Sequence, residues 1–253
     1  MLILSMIQGI TEWLPVSSSA HLALAQHYFF GEVPLIYDMG MHIGTMLAVI
    51  LYFWKRLFGM LRCLLAWDTH SKEFKLILFL ILGSIPTAII GFSFKGFFIS
   101  MYSNPVLIGV ALLVTALFLF SVHFSRPTNQ KTNSKTSIIM GIAQGLAVAP
   151  GISRSGSTIT AALNLGMNWK DAASFSFLLA IPAIFGATIF LLMDIPFQTI
   201  DVSMMFVGVA GAFIFGLASI HLLLTFISRK TFPFFGIYCF LLGLTVILLN
   251  YWG

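Results

Sequence analysis

The residues best suited to chemistry begin near the amino terminus, in a segment that is otherwise apolar. Gln8 and Glu12 are four positions apart, so on a helix they share one face. A carboxylate placed inside a membrane is costly and indicates a functional site by default. It could also be structural, tied to an arginine or to backbone amides. As functional groups, the two side chains offer hard oxygen ligands for Mg²⁺ or Ca²⁺ in contact with a diphosphate.

Three serines and a histidine follow a proline a few residues later. Ser17, Ser18 and Ser19 would begin a helix after the turn at Pro15, and capping of that helix would account for one serine but not for three. His21 falls about one helical turn beyond Ser18. Ser18 could attack phosphorus with His21 as the base. Alternatively, His21 handles the proton or attacks directly, and the serines only bind.

A second polar run occupies residues 150–158, where two glycines and four hydroxyl residues surround one arginine. Backbone amides at a helix amino terminus bind anions, and these would be the amides near Ser153 and Ser155. Arg154 adds a planar fork that fits phosphate oxygens. Arg154 could also neutralise Glu12, and the two roles are compatible.

The composition requires an environment other than water for most of the surface. Of 253 residues, 59% are hydrophobic and 8% are charged, whereas soluble domains carry about 25% charged residues. The net charge of +5 does not indicate nucleic-acid binding, because the basic residues lie between apolar runs and form no stripe. Cys63 and Cys239 are far apart and predict neither a disulfide nor a metal site.

The apolar runs predict an all-α integral membrane protein with six transmembrane helices. The expected spans are 39–54, 75–94, 104–123, 172–193, 202–227 and 233–251. Residues 1–30 and 137–166 are also apolar, but Pro, Gly and Ser interrupt each of them, and each half is too short to cross. Helix, polar break and helix indicate two re-entrant hairpins, surrounded by protein or by a water-filled cavity.

The basic residues test this topology. With six spans and two re-entrant hairpins, eleven of the thirteen lie on one side, Lys95 lies on the other, and Arg154 lies inside a hairpin. The eleven are Lys55, Arg56, Arg62, Lys72, Lys75, Arg126, Lys131, Lys135, Lys170, Arg229 and Lys230. Because cytoplasmic loops are rich in Lys and Arg, we expect both termini on the periplasmic or extracellular side.

The same topology contains an internal repeat. A hairpin followed by three spans occurs twice, at about 1–123 and 137–253 of a single membrane domain, residues 1–253. Three is odd, so the second copy is inverted, an arrangement that recurs in transporters. Hairpins that enter from opposite faces would meet near the midplane and bring the two polar breaks together.

The remaining histidines are weaker candidates. His42 starts a span and either helps to line the site or is structural. His27, His70, His123 and His221 lie near a face, in a loop or within a span, which favours structural or interfacial roles.

Two motifs resemble a known family. Residues 8–21, QGITEWLPVSSSAH, resemble the first motif of the bacterial undecaprenyl-diphosphate phosphatases, or bacitracin-resistance proteins, and residues 150–158, PGISRSGST, resemble the second. Residues 176–183 are similar to a further family stretch, and the resemblance covers nearly the whole chain. Two departures are Gln8, where many members have Glu, and Ser19-Ala20, where Thr-Gly is usual.

The resemblance implies an all-helical fold with two re-entrant hairpins. It also implies a divalent-cation-dependent hydrolase of the bacterial inner membrane. That enzyme removes the terminal phosphate of undecaprenyl diphosphate and returns the carrier lipid to peptidoglycan synthesis. The implied acidic motif is Gln8 and Glu12, the serine and histidine roles fall on Ser17, Ser18 and His21, and the phosphate clamp is Arg154 with Ser153.

We therefore expect a polar pocket that takes the diphosphate head while the lipid tail stays among the spans, opening to the periplasmic side. The expected catalytic residues are Glu12, Ser18, His21 and Arg154, the phosphate-binding residues are Ser17, Ser19, Ser153, Arg154 and Ser155, and the metal ligands are Glu12 and Gln8. The expected partners are this lipid and the bilayer, without nucleic acid, and a homodimer is left open. The alternative function is a transporter that carries a polyprenyl phosphate through the same pocket.

Overall fold

A computed structural model describes residues 1–126, 128–194 and 200–252 of the chain, and the described residues form helices and no strands. The α-helices are α1 (Leu2–Trp13), α2 (Ser18–Ala25), α3 (Leu35–Tyr52), α4 (Trp54–Leu65), α5 (Lys72–Ser93), α6 (Lys95–Tyr102), α7 (Pro105–Ser121), α8 (Ser134–Leu146), α9 (Arg154–Asn164), α10 (Trp169–Asp194), α11 (Val202–Phe226) and α12 (Phe232–Trp252). A π-helical turn, Gln26–Phe30, continues α2, and a 3-10 turn, Val122–Phe124, continues α7.

Six of these helices are long and apolar enough to cross a membrane. They include Leu35–Tyr52, Pro105–Phe124 and Val202–Phe226, which differ by a few residues from the predicted spans 39–54, 104–123 and 202–227. The prediction of an all-α, multi-pass membrane protein with six spans is confirmed.

The two broken segments form pairs of short helices. α1 and α2 have 12 and 8 residues, and α8 and α9 have 13 and 11 residues. At 1.5 Å per residue none of them reaches the roughly 30 Å of a hydrocarbon core. The helix–break–helix pattern is therefore present in both segments. Their entry into a membrane from opposite faces stays a prediction.

Two short helices, α4 and α6, lie between spans where loops were expected. α4 carries Lys55, Arg56 and Arg62, which the charge count assigned to a loop. Apolar residues recur between them at helical spacing, and α4 buries Met60 and Cys63 while its basic face stays exposed. The charge count did not predict the local structure, because an amphipathic surface helix and a basic loop have similar compositions. The side of the membrane on which α4 lies stays a prediction.

The first helix of each pair packs chiefly against one span of the other half: α1 against α11, and α8 against α5. Glycines permit the close approach, since a Cβ on Gly9 would lie 2.9 Å from the carbonyl oxygen of Ala212, and one on Gly145 would lie 2.8 Å from Cβ of Ile90. α7 and α12, the last helices of the two halves, pack against each other. This crosswise packing surrounds both breaks with spans.

Candidate active site

The first break lies between α1 and α2 and is shaped by Ser17. This residue has a φ of 70°, a region that non-glycine residues seldom occupy. Its hydroxyl caps α2 by accepting from the amide of Ala20 at 3.4 Å, and it also accepts from the amide of Gly151 at 3.2 Å. Because strained backbone clusters at functional sites, the conformation of Ser17 supports a functional role for this turn.

The second break lies between α8 and α9 and requires a glycine. Gly151 has a φ of 102°, and a Cβ there would lie 2.6 Å from the carbonyl oxygen of Ile108. The hydroxyl of Thr115 on α7 replaces the missing helical hydrogen bonds. It donates to the carbonyl of Gly151 at 2.8 Å and accepts from the amide of Ser153 at 2.9 Å. A span side chain thus fixes the backbone from which α9 starts.

The structure brings the two breaks into contact. Besides the bond between Gly151 and Ser17, the hydroxyl of Ser155 donates to the carbonyl of Leu14 at 2.9 Å. Nη2 of Arg154 donates to Oε1 of Glu12 at 2.5 Å. The acidic and basic groups that the sequence singled out therefore face each other across the joint.

Glu12 is the centre of the polar cluster. Its second oxygen, Oε2, accepts from the hydroxyl of Ser18 at 2.5 Å and from Nε2 of Gln8 at 3.0 Å. Nε2 of His42 lies 3.8 Å from the same oxygen, so His42 lines the site. A carboxylate that accepts a hydrogen bond from a serine hydroxyl on one oxygen and from a guanidinium on the other is placed to take the proton of that serine.

Arg154 is held in place but keeps a donor free. Its Cζ lies 4.8 Å from the ring centroid of Trp13, which is fully buried and contacts the edge of Phe177. Nη1 of Arg154 is buried and has no hydrogen-bond partner among the described residues. A buried, unpaired donor of a cation costs free energy until an acceptor arrives. Arg154 therefore keeps one N–H group that is not hydrogen-bonded within the described residues.

His21 uses both of its ring nitrogens within the protein. Nδ1 lies 2.7 Å from the carbonyl oxygen of Ser17, and Nε2 lies 2.6 Å from the hydroxyl of Tyr238 on α12. In this geometry neither nitrogen is directed at Ser18. The arrangement favours Glu12 over His21 as the base that receives the proton of Ser18.

The predicted phosphate-binding serines fall into two groups. Ser18 and Ser19 are partly accessible, as is Arg154, whereas Ser17, Ser153 and Ser155 are buried. The hydroxyl of Ser153 caps α9 by accepting from the amide of Gly156 at 3.1 Å. The buried serines join the breaks and cap the helices, and their direct contact with a phosphate stays a prediction.

The donor set for a divalent cation is small. Among the described residues there is no group of three or more His, Cys, Asp and Glu side chains that could hold a metal. Oε1 of Gln8, however, is buried without a hydrogen-bond partner beside Glu12. One carboxylate and one amide oxygen are the ligand types of an ion such as Mg²⁺, which keeps several waters and takes its other ligands from substrate phosphates. Both oxygens of Glu12 accept hydrogen bonds in this structure, so an ion would replace one of these bonds.

Sequence reasoning did not identify several groups of this site. Trp13 lies under Arg154, Tyr238 contacts His21, and Asp38 accepts from Nε2 of Gln26 at 3.1 Å beside His42. Asp38 could have been noticed, because it lies four residues before His42, which the sequence did single out, in the same apolar helix. Nothing in the sequence around Tyr238 distinguishes it from other aromatic residues of the membrane helices.

Comparison with known proteins shows the family of the chain. The family described as bacitracin resistance protein BacA matches residues 1–245. The chain belongs to this family. Relatives named undecaprenyl-diphosphatase include one from Syntrophotalea carbinolica, 41% identical with 96% of this chain and 95% of the relative covered. Another, from Methanosphaera stadtmanae, is 37% identical, and the match covers 98% of this chain and 96% of the relative. A third, from Desulfosudis oleivorans, is 40% identical, and the match covers 95% of this chain and 94% of the relative. The resemblance deduced from the two motifs is confirmed over the full length.

Proposed function

We propose that this protein is an undecaprenyl-diphosphate phosphatase. It hydrolyses the lipid diphosphate to undecaprenyl phosphate and inorganic phosphate, and so recycles the carrier lipid for cell-wall synthesis. The full-length relatives of that name support the reaction class. The observation that carries the proposal is the arrangement at Glu12, where a serine hydroxyl and a guanidinium with a vacant donor meet on one buried carboxylate.

Ser18 is the nucleophile in this proposal. Its Oγ forms a bond to the terminal phosphorus, its proton passes to Oε2 of Glu12, and the bond from that phosphorus to the bridging oxygen breaks. Undecaprenyl phosphate leaves, and a phosphoserine stays behind. Water then attacks the phosphoserine, Ser18 recovers its proton from Glu12, and phosphate departs with both hydrogens of the water. The 2.5 Å contact between Ser18 and Glu12 supports this assignment.

Arg154 stabilises the charge that spreads over the phosphoryl oxygens. Nη1 receives one oxygen, and the face of Trp13 keeps the guanidinium plane fixed, so little reorganisation is needed during reaction. Ser19 is accessible beside Ser17 and adds a hydroxyl to the phosphate site. Ser17, Ser153 and Ser155 contribute by presenting the backbone amides at the starts of α2 and α9.

A divalent cation, Mg²⁺ or Ca²⁺, completes the site in this proposal. Glu12 and the free Oε1 of Gln8 would hold it. When bound, such an ion neutralises part of the diphosphate charge and makes phosphorus easier to attack. The protein lies in the bacterial inner membrane with both termini on the periplasmic side, as the eleven basic residues on the opposite side suggest.

The test is release of inorganic phosphate from undecaprenyl diphosphate by the purified protein in detergent micelles, with Mg²⁺ and with a chelator. Transport is impossible in micelles, so turnover excludes a function limited to transport. Glu12→Gln should lower turnover by about 10²–10⁴-fold. Glu32→Gln, which alters an exposed acidic residue away from the site, should retain wild-type turnover. Wild-type protein that releases no phosphate with Mg²⁺ present would refute the proposal.

A further inference from the structure

Two adjacent residues of α12 contact the first break, between α1 and α2. Sγ of Cys239 lies 3.7 Å from the carbonyl oxygen of Pro15. The ring of Tyr238 stacks on that of His21, with centroids 5.6 Å apart and planes inclined by 8°. The last helix of the chain therefore contacts the turn that carries the serines, more than two hundred residues away in sequence.

The hydrogen-bond partners of His21 determine the tautomer of its neutral ring. A backbone carbonyl only accepts, so Nδ1, 2.7 Å from the carbonyl of Ser17, carries a proton. In the neutral ring Nε2 is then an acceptor, and the hydroxyl of Tyr238 donates to it at 2.6 Å. Tyr238 thus fixes the plane of the imidazole by stacking and its tautomer by this bond.

We propose that Tyr238 is a positioning residue of the phosphatase site and acts through His21. This inference rests on the proposed function. One edge of the His21 ring is anchored to the backbone of Ser17, and the other is held by a side chain that is 44% exposed. Tyr238 holds Nε2 at the accessible edge of the pocket, where a protonated oxygen (P–OH) of an arriving phosphate can donate to it in place of the phenol. The loss of Tyr238 therefore misplaces His21 and leaves Ser18, Glu12 and Arg154 untouched.

The experiment is a double-mutant cycle measured by phosphate release in micelles. Tyr238→Phe keeps the stacking and removes the hydroxyl, and it should lower kcat by about ten-fold with little change in KM. In a His21→Ala background the same substitution should change kcat by less than about two-fold, because its target is gone. The matched control is Tyr28→Phe, since the hydroxyl of Tyr28 also bonds α12, accepting from Asn250 at 2.6 Å, outside the site.

A second measurement does not depend on turnover. In ¹⁵N spectra of histidine-labelled protein, the His21 signals, assigned through His21→Ala, should show the Nδ1–H tautomer. They should shift in Tyr238→Phe and stay unchanged in Tyr28→Phe. If these shifts appear while wild-type protein releases no phosphate, the proposed function fails and the positioning contact stands. Wild-type kcat in Tyr238→Phe, an equal loss in the His21→Ala background, or unshifted His21 signals would overturn the inference.

Discussion

The two breaks share the placement of a glutamine and a capping serine but differ in backbone conformation and in chemistry, since φ is 70° at Ser17 and -73° at Ser153. Gln8 and Gln144, and then the capping residues Ser17 and Ser153, stand at matching places, and each capping hydroxyl accepts from the amide three residues later. After the caps the breaks differ, since Ser18 begins α2 where Arg154 begins α9. Glu12 has no acidic counterpart in the second break, because Val148 occupies the matching position. The two breaks thus form one asymmetric site, with the acid and hydroxyls from one break and the guanidinium from the other.

The largest effect should come from making the second break resemble the first. Arg154→Ser should lower kcat/KM by about 10²–10³-fold, because it removes the donor that stabilises the phosphoryl oxygens. Phosphate release in micelles measures this. The control is Arg229→Ser, whose guanidinium bonds the carbonyl of His123 at an exposed position and whose loss should leave turnover unchanged. A loss below ten-fold in Arg154→Ser would show that the second break is structural.

The two capping serines should differ in stability. Ser17→Ala removes the α2 cap and also leaves the buried amide of Gly151 unpaired, which should cost about 2–3 kcal/mol. Ser153→Ala removes mainly the α9 cap and should cost about 1 kcal/mol. Thermal unfolding of both variants in one detergent measures the difference. Equal midpoints would mean that the bond between the breaks contributes no stability.

The two glutamines should differ in their effect on the cation. Gln8→Ala should raise the Mg²⁺ concentration for half-maximal turnover by about ten-fold, because a free amide oxygen beside Glu12 is lost. Oε1 of Gln144 is likewise buried without a hydrogen-bond partner, but Nε2 of Gln144 donates to the Leu179 carbonyl and the Thr87 hydroxyl rather than to a carboxylate. Gln144→Ala should leave the Mg²⁺ requirement unchanged and cost about 1–2 kcal/mol in stability. Parallel shifts in the Mg²⁺ requirement would contradict this distinction.

The smallest effect concerns the caps of two spans that occupy matching places in the halves. Asp201 caps α11, and hydrogen bonds from the Ser203 hydroxyl and the Met204 amide lower the pKa of its carboxyl. Ser71 caps α5 and does not ionise. A lowered folded pKa means that this stabilisation is present above the unfolded value and is lost as pH falls through the folded value.

Melting curves of wild type and Asp201→Asn should therefore converge in acid, below the usual carboxyl range, and separate at neutral pH. Ser71→Ala should differ from wild type by an amount that does not change with pH. A constant difference for Asp201→Asn would show that the charge of its carboxylate adds nothing to the cap.

The sequence predicted the spans well because hydropathy and length depend on local composition. It also singled out Glu12 and Arg154, which the structure brings into contact, since charges among apolar residues are rare. It did not predict Trp13 beneath Arg154, or Tyr238 on His21, because aromatic residues are common throughout the chain and only the packing of α12 on the first break selects them. Nor did it predict that Ser155 would donate to a backbone carbonyl, since hydroxyl direction depends on distant segments.

The pairing of Glu12 with Arg154 also constrains how the protein is made. The partners are 142 positions apart, and at roughly 5–20 residues per second the ribosome delivers the arginine about 7–30 seconds after the acid. For that interval Arg154, the partner that pairs with Glu12 in the folded protein, does not yet exist. If the first hairpin enters the bilayer as proposed, it must wait at the headgroup region or enter as the neutral acid. Insertion of the amino-terminal segment is then completed only late in translation, after the nascent chain has passed its midpoint.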